Sequence, residues 1–454
     1  MKTTIIYTVG AVVVLLCELA IASVPEITAA NMSQSSQSRL VTITYTLENA
    51  PAVVTIDVQT NAADNTWVSI GGEAVCSAKG DVWKKVGTAN ETFNGVITWH
   101  PELSWPDHKI AEGGARAVVT AWALDNTPAY MVVDISENAI ANSQTYYPSV
   151  EFLPGGVLSN AAYRTTLLLM RKIMAKDMVW TMGSTAFETG RNPDTSRQPD
   201  EATHQVMLTN NYYIGVFEVT QTQWGLVQTN YPAPSTFSSV SYRAMRPVES
   251  VCYNEIRMAA NSTSVSAGAE DWPGAPCGGS FLGILRQRTG IDFDLPSEAQ
   301  WEFAARAGNG DTFRGDGSAI LNSAQDANMA MFGRYQYNGG WINGTVRPSA
   351  SSNPSQSECS TEYGTAVVGS YKPNNYGLYD TCGNVYEWCL DWYAVDISPL
   401  SGSVNTIIGT TKVFSGGAFA NDANYCRPAL RRDISPSTRS YSLGFRVACR
   451  AGLL

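Results

Sequence analysis

Between residues 41 and 47 the chain reads Val-Thr-Ile-Thr-Tyr-Thr-Leu, apolar residues and threonines in strict alternation. Only an extended strand repeats every two residues, so Val41, Ile43, Tyr45 and Leu47 must face a core while the threonines face water. Val54, Ile56 and Val58 repeat the alternation, Gly71-Gly72 marks a turn, and Val96–Trp99, Val118–Trp122 and Met131–Val133 supply later strands. No helical period intervenes. Short strands separated by Gly, Asn and Pro predict an antiparallel, all-β sandwich over residues 40–137. Within it, the stretch Trp99–His108 carries two tryptophans, two prolines and two histidines. Rings and prolines order such a loop without a bound metal, so it reads as structural.

This sandwich would be of the immunoglobulin or fibronectin kind, and it is flanked by segments of different character. Residues 1–22 hold Lys2, an apolar stretch centred on Ala11 to Cys17 and the small-x-small triplet Ala20-Ile21-Ala22. That is the pattern of a cleaved signal peptide. Thr8 and Glu18 interrupt the run, which is short of the roughly 20 apolar residues a spanning helix needs. A secreted or periplasmic protein is expected, with no membrane span after cleavage. Residues 23–39, with Ser33-Gln34-Ser35-Ser36-Gln37-Ser38, are polar and read as a flexible leader. Residues 138–176 read as a connector whose run Leu167–Met174 forms a strand or short helix. The remaining domain, residues 177–454, is rich in Gly, Trp, Tyr and Asn. In it Thr220 with Gln223, and Ser297 with Gln300, have the spacing of capping boxes that open two helices.

Composition removes several functions. Of 454 residues, 40 are acidic and 30 basic, a net charge of −10 that disfavours a phosphate backbone as partner. Three histidines, His100, His108 and His204, are too few and too scattered for a multi-histidine catalytic metal site. Of nine cysteines, Cys17 lies in the leader, leaving Cys76, Cys252, Cys277, Cys359, Cys382, Cys389, Cys426 and Cys449. An even number in an exported chain permits disulfides, while the lack of any CxxC pair removes zinc knuckles and thioredoxin-type sites.

Five motifs in the second domain occur in a telling order: Tyr213–Gln221, Leu295–Ala304, Tyr376–Asp380, Gly383–Trp388 and Leu443–Arg446. Together, over about Met178 to Cys449, they resemble the formylglycine-generating enzyme, or sulfatase-modifying factor, family. The resemblance implies a loop-rich α+β domain of C-type-lectin-like fold, with the sandwich outside the match. It also implies a copper(I) site of two late cysteines that oxidises a substrate cysteine to formylglycine with oxygen. The second cysteine matches Cys426, but the first falls on Asn421, an amide that cannot replace a thiolate on soft copper. The serine after the paired glycines falls on Ala418, and a motif tryptophan falls on Tyr386. Cys389, in Trp388-Cys389-Leu390-Asp391-Trp392, is the candidate that would restore the pair, either as a copper ligand or in a disulfide with Cys426. The resemblance further implies a calcium site at the carboxylates of Asp380 and Glu387 and the carbonyls of Gly383 and Val385. A second calcium site would use Asn328 and Met329, with its carboxylate partner falling on Ser360.

The last segment combines Tyr, Ser, Asn and Arg, residue types that give a recognition surface contact area and adaptable hydrogen bonds. Its candidate ligand-binding residues are Asn421, Asn424, Tyr425, Arg427, Arg431 and Arg432, with Tyr386. The layout is similar to the variable C-terminal segment of ligand-binding, C-type-lectin-like proteins. The arginines predict a locally basic cleft suited to an acidic ligand. Two functions of different class follow. One is an exported, calcium-stabilised, non-catalytic module that binds a protein, peptide or glycan. The other is a copper-dependent oxidase acting on an exported sulfatase, with Cys426 as its catalytic residue. An iron oxygenase would need two histidines where this domain has only His204.

Overall fold

The structure is a computed structural model. It describes residues 24–452 except 63–65, 186–187, 192–197, 230–233, 238–242, 259–271, 309–318, 339–363, 396 and 398–408. The expected signal peptide, Cys359 and Ser360 lie outside the described residues.

Among the described residues, eight strands and two short helices make up the N-terminal part. The strands are β1 (Glu26–Gln34), β2 (Val41–Glu48), β3 (Ala52–Asn61), β4 (Trp67–Ser69), β5 (Lys79–Gly80), β6 (Lys84–Val86), β7 (Phe93–Trp99) and β8 (Ala115–Trp122). One sheet runs β1-β2-β7-β5, and a second has β3 at its centre, paired with β4, β6 and β8. The alternation at 41–47 is realised as read: Val41, Ile43, Tyr45 and Leu47 are buried, and Thr44 is exposed. Ile56 and Val58 of the second sheet enter the same hydrophobic cluster. The expected flexible leader is corrected by β1, whose Glu26–Gln34 pairs antiparallel with β2. Its side chains are mostly exposed, so the ladder of backbone hydrogen bonds, which sequence pattern does not report, is what holds it.

The expected sandwich boundary at 137 also shifts. Strand β9 (Tyr130–Asp134) leaves both N-terminal sheets and joins β10 (Thr145–Tyr147) and β11 (Leu167–Ile173), drawn from the expected connector. Met131–Val133 and Leu168–Met170 are apolar runs buried at every position, the mark of strands covered on both faces rather than one. After β12 (Met178–Met182) and β13 (His204–Leu208), which form a two-stranded sheet, β14 (Tyr212–Gly215) completes the shared sheet with the last strand of the chain. Then come β15 (Tyr386–Trp392), β16 (Lys412–Ser415), β17 (Arg432–Ile434), β18 (Leu443–Gly444) and that last strand, β19 (Ala448–Arg450). Strands β17-β16-β15-β18 form a sheet of their own.

The short helices of the N-terminal part are α1 (Gly72–Val75) and α2 (Pro101–Ser104). The family-like part adds α3 (Gln221–Val227), α4 (Tyr253–Arg257), α5 (Phe281–Thr289), α6 (Glu298–Ala305) and α7 (Ala327–Phe332). Both expected capping boxes are present, Thr220 with Gln223 on α3 and Ser297 with Gln300 on α6. Helix α6 is buried at all eight positions, which its sequence of Trp, Phe and three Ala permits. Among the described residues no helix is long and apolar enough to cross a membrane.

Helix α1 sits backbone-to-backbone on the turn Val150–Phe152. A methyl placed on Gly72 would stand 2.6 Å from the carbonyl of Glu151, closer than any real contact. Gly225, inside α3, has open space around it. Gly72→Ala should therefore cost about 1–3 kcal/mol of stability by overpacking. Gly225→Ala should gain up to about 1 kcal/mol through helix propensity. Equilibrium urea unfolding compares them, and equal effects would refute the close seat of α1.

Candidate functional site

The expected metal and ligand residues converge on β15, β16 and the loops around them. The turn before β15 places Asp380 and Asn384 in left-handed backbone, and Gly383 donates to the carbonyl of Gly416 across the loop at 2.7 Å. Gly417 must be glycine twice over. Its φ is +74°, and an added methyl would lie 2.6 Å from Cα of Cys426. This pins the paired glycines against the cysteine that the sequence marks.

Asn421, at the position of the missing thiolate, is built into that turn. Its side-chain oxygen accepts from the Ala418 amide at 3.0 Å, and its carbonyl accepts from the Gln336 amide at 2.9 Å. The amide thus does a structural task that a thiol would do poorly. Cys426 is fully buried among Ile320, Met329, Tyr335 and Ala423. Burial pushes its thiol well above the ordinary range, and the neighbouring Cys382 adds to that shift.

Cys382, not Cys389, is the cysteine beside Cys426, and both belong to one small apolar cluster. Cys389 lies in a different one, with Trp301, Ala305 and Val413. The expected Cys389–Cys426 pairing is corrected for a geometric reason: Cys389 is inside the fully buried strand β15, whereas Cys382 is in the turn that meets Gly416-Gly417. Among the described residues no cysteine is in a disulfide. The only signal for Cys382 was its place next to Gly383 in a motif already singled out.

The carboxylates expected to hold calcium are present but engaged. Arg446 gives Glu387 two charge-assisted bonds, Nε to Oε2 at 2.6 Å and Nη2 to Oε1 at 2.5 Å. Trp301 Nε1 adds a third at 2.7 Å. Asp380 Oδ2 accepts from the Gly369 amide at 2.7 Å, and its Oδ1 is buried with no hydrogen-bond partner. A third carboxylate, Glu218, missed by sequence reading, accepts from Asn384 Nδ2 at 2.6 Å and from the Val385 amide at 3.1 Å. Burial, with Asp380 and Glu387 close by, raises Glu218 well above the carboxylate range, and burial lifts Asp380 to about 6. The Arg446 guanidinium offsets part of the carboxylate charge here. The set does not fit calcium as the resemblance implies, because Glu387 serves Arg446 and Trp301. No three His, Cys, Asp or Glu among the described residues are grouped to hold a metal. At the second expected site, the Asn328 amide donates to the Ala319 carbonyl at 2.7 Å, and Met329 is buried, its amide capped by Asp326 at 2.8 Å.

The expected basic cleft is also corrected. Arg427 is buried and paired with Glu201 through two bonds of 2.9 Å, and with Glu188. Arg431 is buried and paired with both oxygens of Glu298. These guanidiniums tie loops together and offer nothing to a ligand. Asn424 is buried, with its side-chain oxygen lacking a partner. What remains part-exposed is Asn421, Tyr425 and Arg432, with the Arg432 guanidinium 5.0 Å from the Tyr425 ring centroid. The Arg432 charge also acts on Tyr386, which is buried edge-on to Phe414. Close by, Phe237, Phe419 and Tyr441 form an aromatic group that sequence reading did not find, since Phe237 is about 180 residues distant in sequence from Phe419.

Residues 167–451 match the family of the sulfatase-modifying factor enzyme 1-like domain. The formylglycine-generating enzyme of Streptomyces coelicolor is 32% identical over 165 residues, 35% of this chain and 47% of that protein. That of Mus musculus is 28% identical over 159 residues, 34% of this chain and 38% of that protein. The chain thus spans less than half the length of these two enzymes. Chaperone protein LppX of Paenibacillus barcinonensis is 25% identical over 271 residues, 55% of this chain and 81% of that protein. Among solved structures, Treponema denticola variable protein 1 aligns with a TM-score of 0.42 at 28% identity, over 63% of this chain and 96% of that one.

Two outcomes are expected. Arg431→Met leaves Glu298 charged and buried, and should cost about 3–5 kcal/mol in urea unfolding. Arg432→Met loses a part-exposed cation–π contact and should cost at most about 1 kcal/mol. Comparable losses would return Arg431 to the surface. Separately, the melting temperature should be the same in calcium and in chelator. A rise of several degrees in calcium that Asp380→Asn abolishes would restore the metal.

Proposed function

The chain belongs to the sulfatase-modifying factor enzyme 1-like family, and we propose that it is an exported, ligand-binding member that does not perform copper-dependent oxidation. The observation that carries this reading is the side chain of Asn421, an amide engaged with the Ala418 backbone at the position where the resemblance implies a copper thiolate. A soft monovalent metal gains little from an amide oxygen. The buried Cys426 supports it further, since a substrate thiol would have to reach a sulfur with no exposed surface. The binding surface in this reading centres on Tyr425 and Arg432, a ring and a planar cation that suit a protein, peptide or glycan ligand. Export rests on the leader, Lys2 followed by the apolar run to Cys17 and the Ala20-Ile21-Ala22 triplet.

One observation favours the alternative, an oxidase that generates formylglycine on a sulfatase. Cys382 lies beside Cys426 in the same apolar cluster and is a second sulfur in the right neighbourhood. Two thiolates would suit copper(I), and reaching that state would require opening the turn that buries them.

The deciding experiment gives the reduced full chain copper(I), oxygen and a cysteine peptide of sulfatase type, and reads aldehyde formation by mass spectrometry. No aldehyde is expected. Conversion that both Cys426→Ser and Cys382→Ser abolish would overturn the proposal and establish the oxidase.

A further inference from the structure

A cavity of about 740 Å³ lies outside the family-like domain, between α1, α2 and the turn Val150–Phe152. Its volume is within the range of small-ligand sites. The segment Trp99–His108, read from sequence as a structural loop, forms one wall. Its floor is fixed: the Ser104 hydroxyl donates to the Ala74 carbonyl at 2.6 Å, and Trp99 Nε1 donates to the same carbonyl at 2.9 Å. Gly72 against Glu151 closes the other side. The Trp105 ring is held by stacking on His108, with centroids 3.8 Å apart and planes 9° from parallel.

The lining has one electrostatic sign. Glu73 and Glu151 both contribute exposed carboxylates, and no Lys, Arg or His lines the cavity. Neither carboxylate makes a side-chain hydrogen bond or ion pair among the described residues. The apolar wall comes from Ile70, Trp105 and Leu103, the last 82% exposed. Two unpaired carboxylates, an indole and an aliphatic wall suit a cation on an apolar stem. The ammonium would meet the carboxylates and the ring, and the methylenes would cover Leu103. The chain's net charge of −10 attracts such a ligand from a distance.

We propose that this cavity is a second binding site, which takes lysine side chains of a basic peptide and is independent of the Tyr425–Arg432 surface. Glu73 and Glu151 are exposed, so their substitution leaves the fold in place, whereas Trp105 is half-buried against the hydrophobic core and Trp105→Phe keeps that packing.

Isothermal titration of the full chain with an acetylated tetralysine amide, at low salt and at 0.15 M salt, tests it. Binding should weaken at least tenfold in Glu73→Gln with Glu151→Gln, and also in Trp105→Ala, while Trp105→Phe retains most of it. Glu112→Gln with Glu137→Gln, exposed carboxylates outside the cavity, should change it less than twofold. Location is read independently by alkylation. Cys76 lines the cavity and Cys277 is exposed elsewhere, so the peptide should slow labelling of Cys76 relative to Cys277. Equal loss in both carboxylate pairs would reduce the effect to diffuse charge and overturn the proposal. So would no binding at low salt, or a neutral oligosaccharide that binds in a Trp105-dependent, carboxylate-independent way.

Discussion

The family-like domain is organised around one guanidinium. Arg446 is fully buried and donates to both oxygens of Glu387 on β15, to the Gly215 carbonyl on β14 and to the Tyr379 carbonyl in the loop before β15. Through Glu387 it also holds Trp301 of α6. Four segments from distant parts of the sequence thus meet at one side chain. A charge so deeply buried is tolerable only when its donors are satisfied, and the loss of either partner would leave the other uncompensated. The same arrangement takes up the Glu387 carboxylate that the resemblance implies for calcium, and it brings a positive charge of its own.

This solution recurs because the domain has little regular structure to do the work. Among the described residues its sheets are short and its α-helices run from five to nine residues, so many backbone groups and loop ends need polar partners. Arg427 with Glu201, Arg431 with Glu298, Arg306 with Glu302 and Arg257 with Asp294 are all buried pairs. Three of them join segments 37 to 226 residues apart. A Gly- and Asn-rich chain that cannot bury enough continuous apolar surface in layers can fasten its loops this way, at a desolvation cost that close bidentate geometry offsets.

What could be read from the sequence, and what could not, follows from the range of the interactions. Local devices were legible: the alternation in β2, the capping boxes of α3 and α6, and the motifs around Asp380 and Glu387, all set by neighbours within a few residues. Long-range choices were not. Arg427 and Arg432 look alike in the sequence, yet one is buried against Glu201 and the other half-exposed over Tyr425, because the partners come from opposite ends of the domain. Met131–Val133 alternates too weakly to show which sheet it joins, and pairing with β11 decided it. Cys389 is close to Cys426 in motif terms, but strand β15 carries it away into the core.

These constraints meet at the turn Gly416–Asn421. In a thiolate-lined copper site this turn would have to leave two sulfurs open to a third. Here the amide of Asn421 closes it on Ala418, Gly417 presses against Cys426, and Gly383 bonds Gly416, so the turn is braced from three directions. Rigidity of that kind hinders a metal that must exchange ligands during turnover, and it assists a surface that must hold a fixed shape. Tyr425 and Arg432 stand immediately beyond the braced turn, with Tyr386 and Phe414 as their support. A contact surface on a pre-organised base loses less entropy when it binds, which is the physical ground for the recognition surface proposed above.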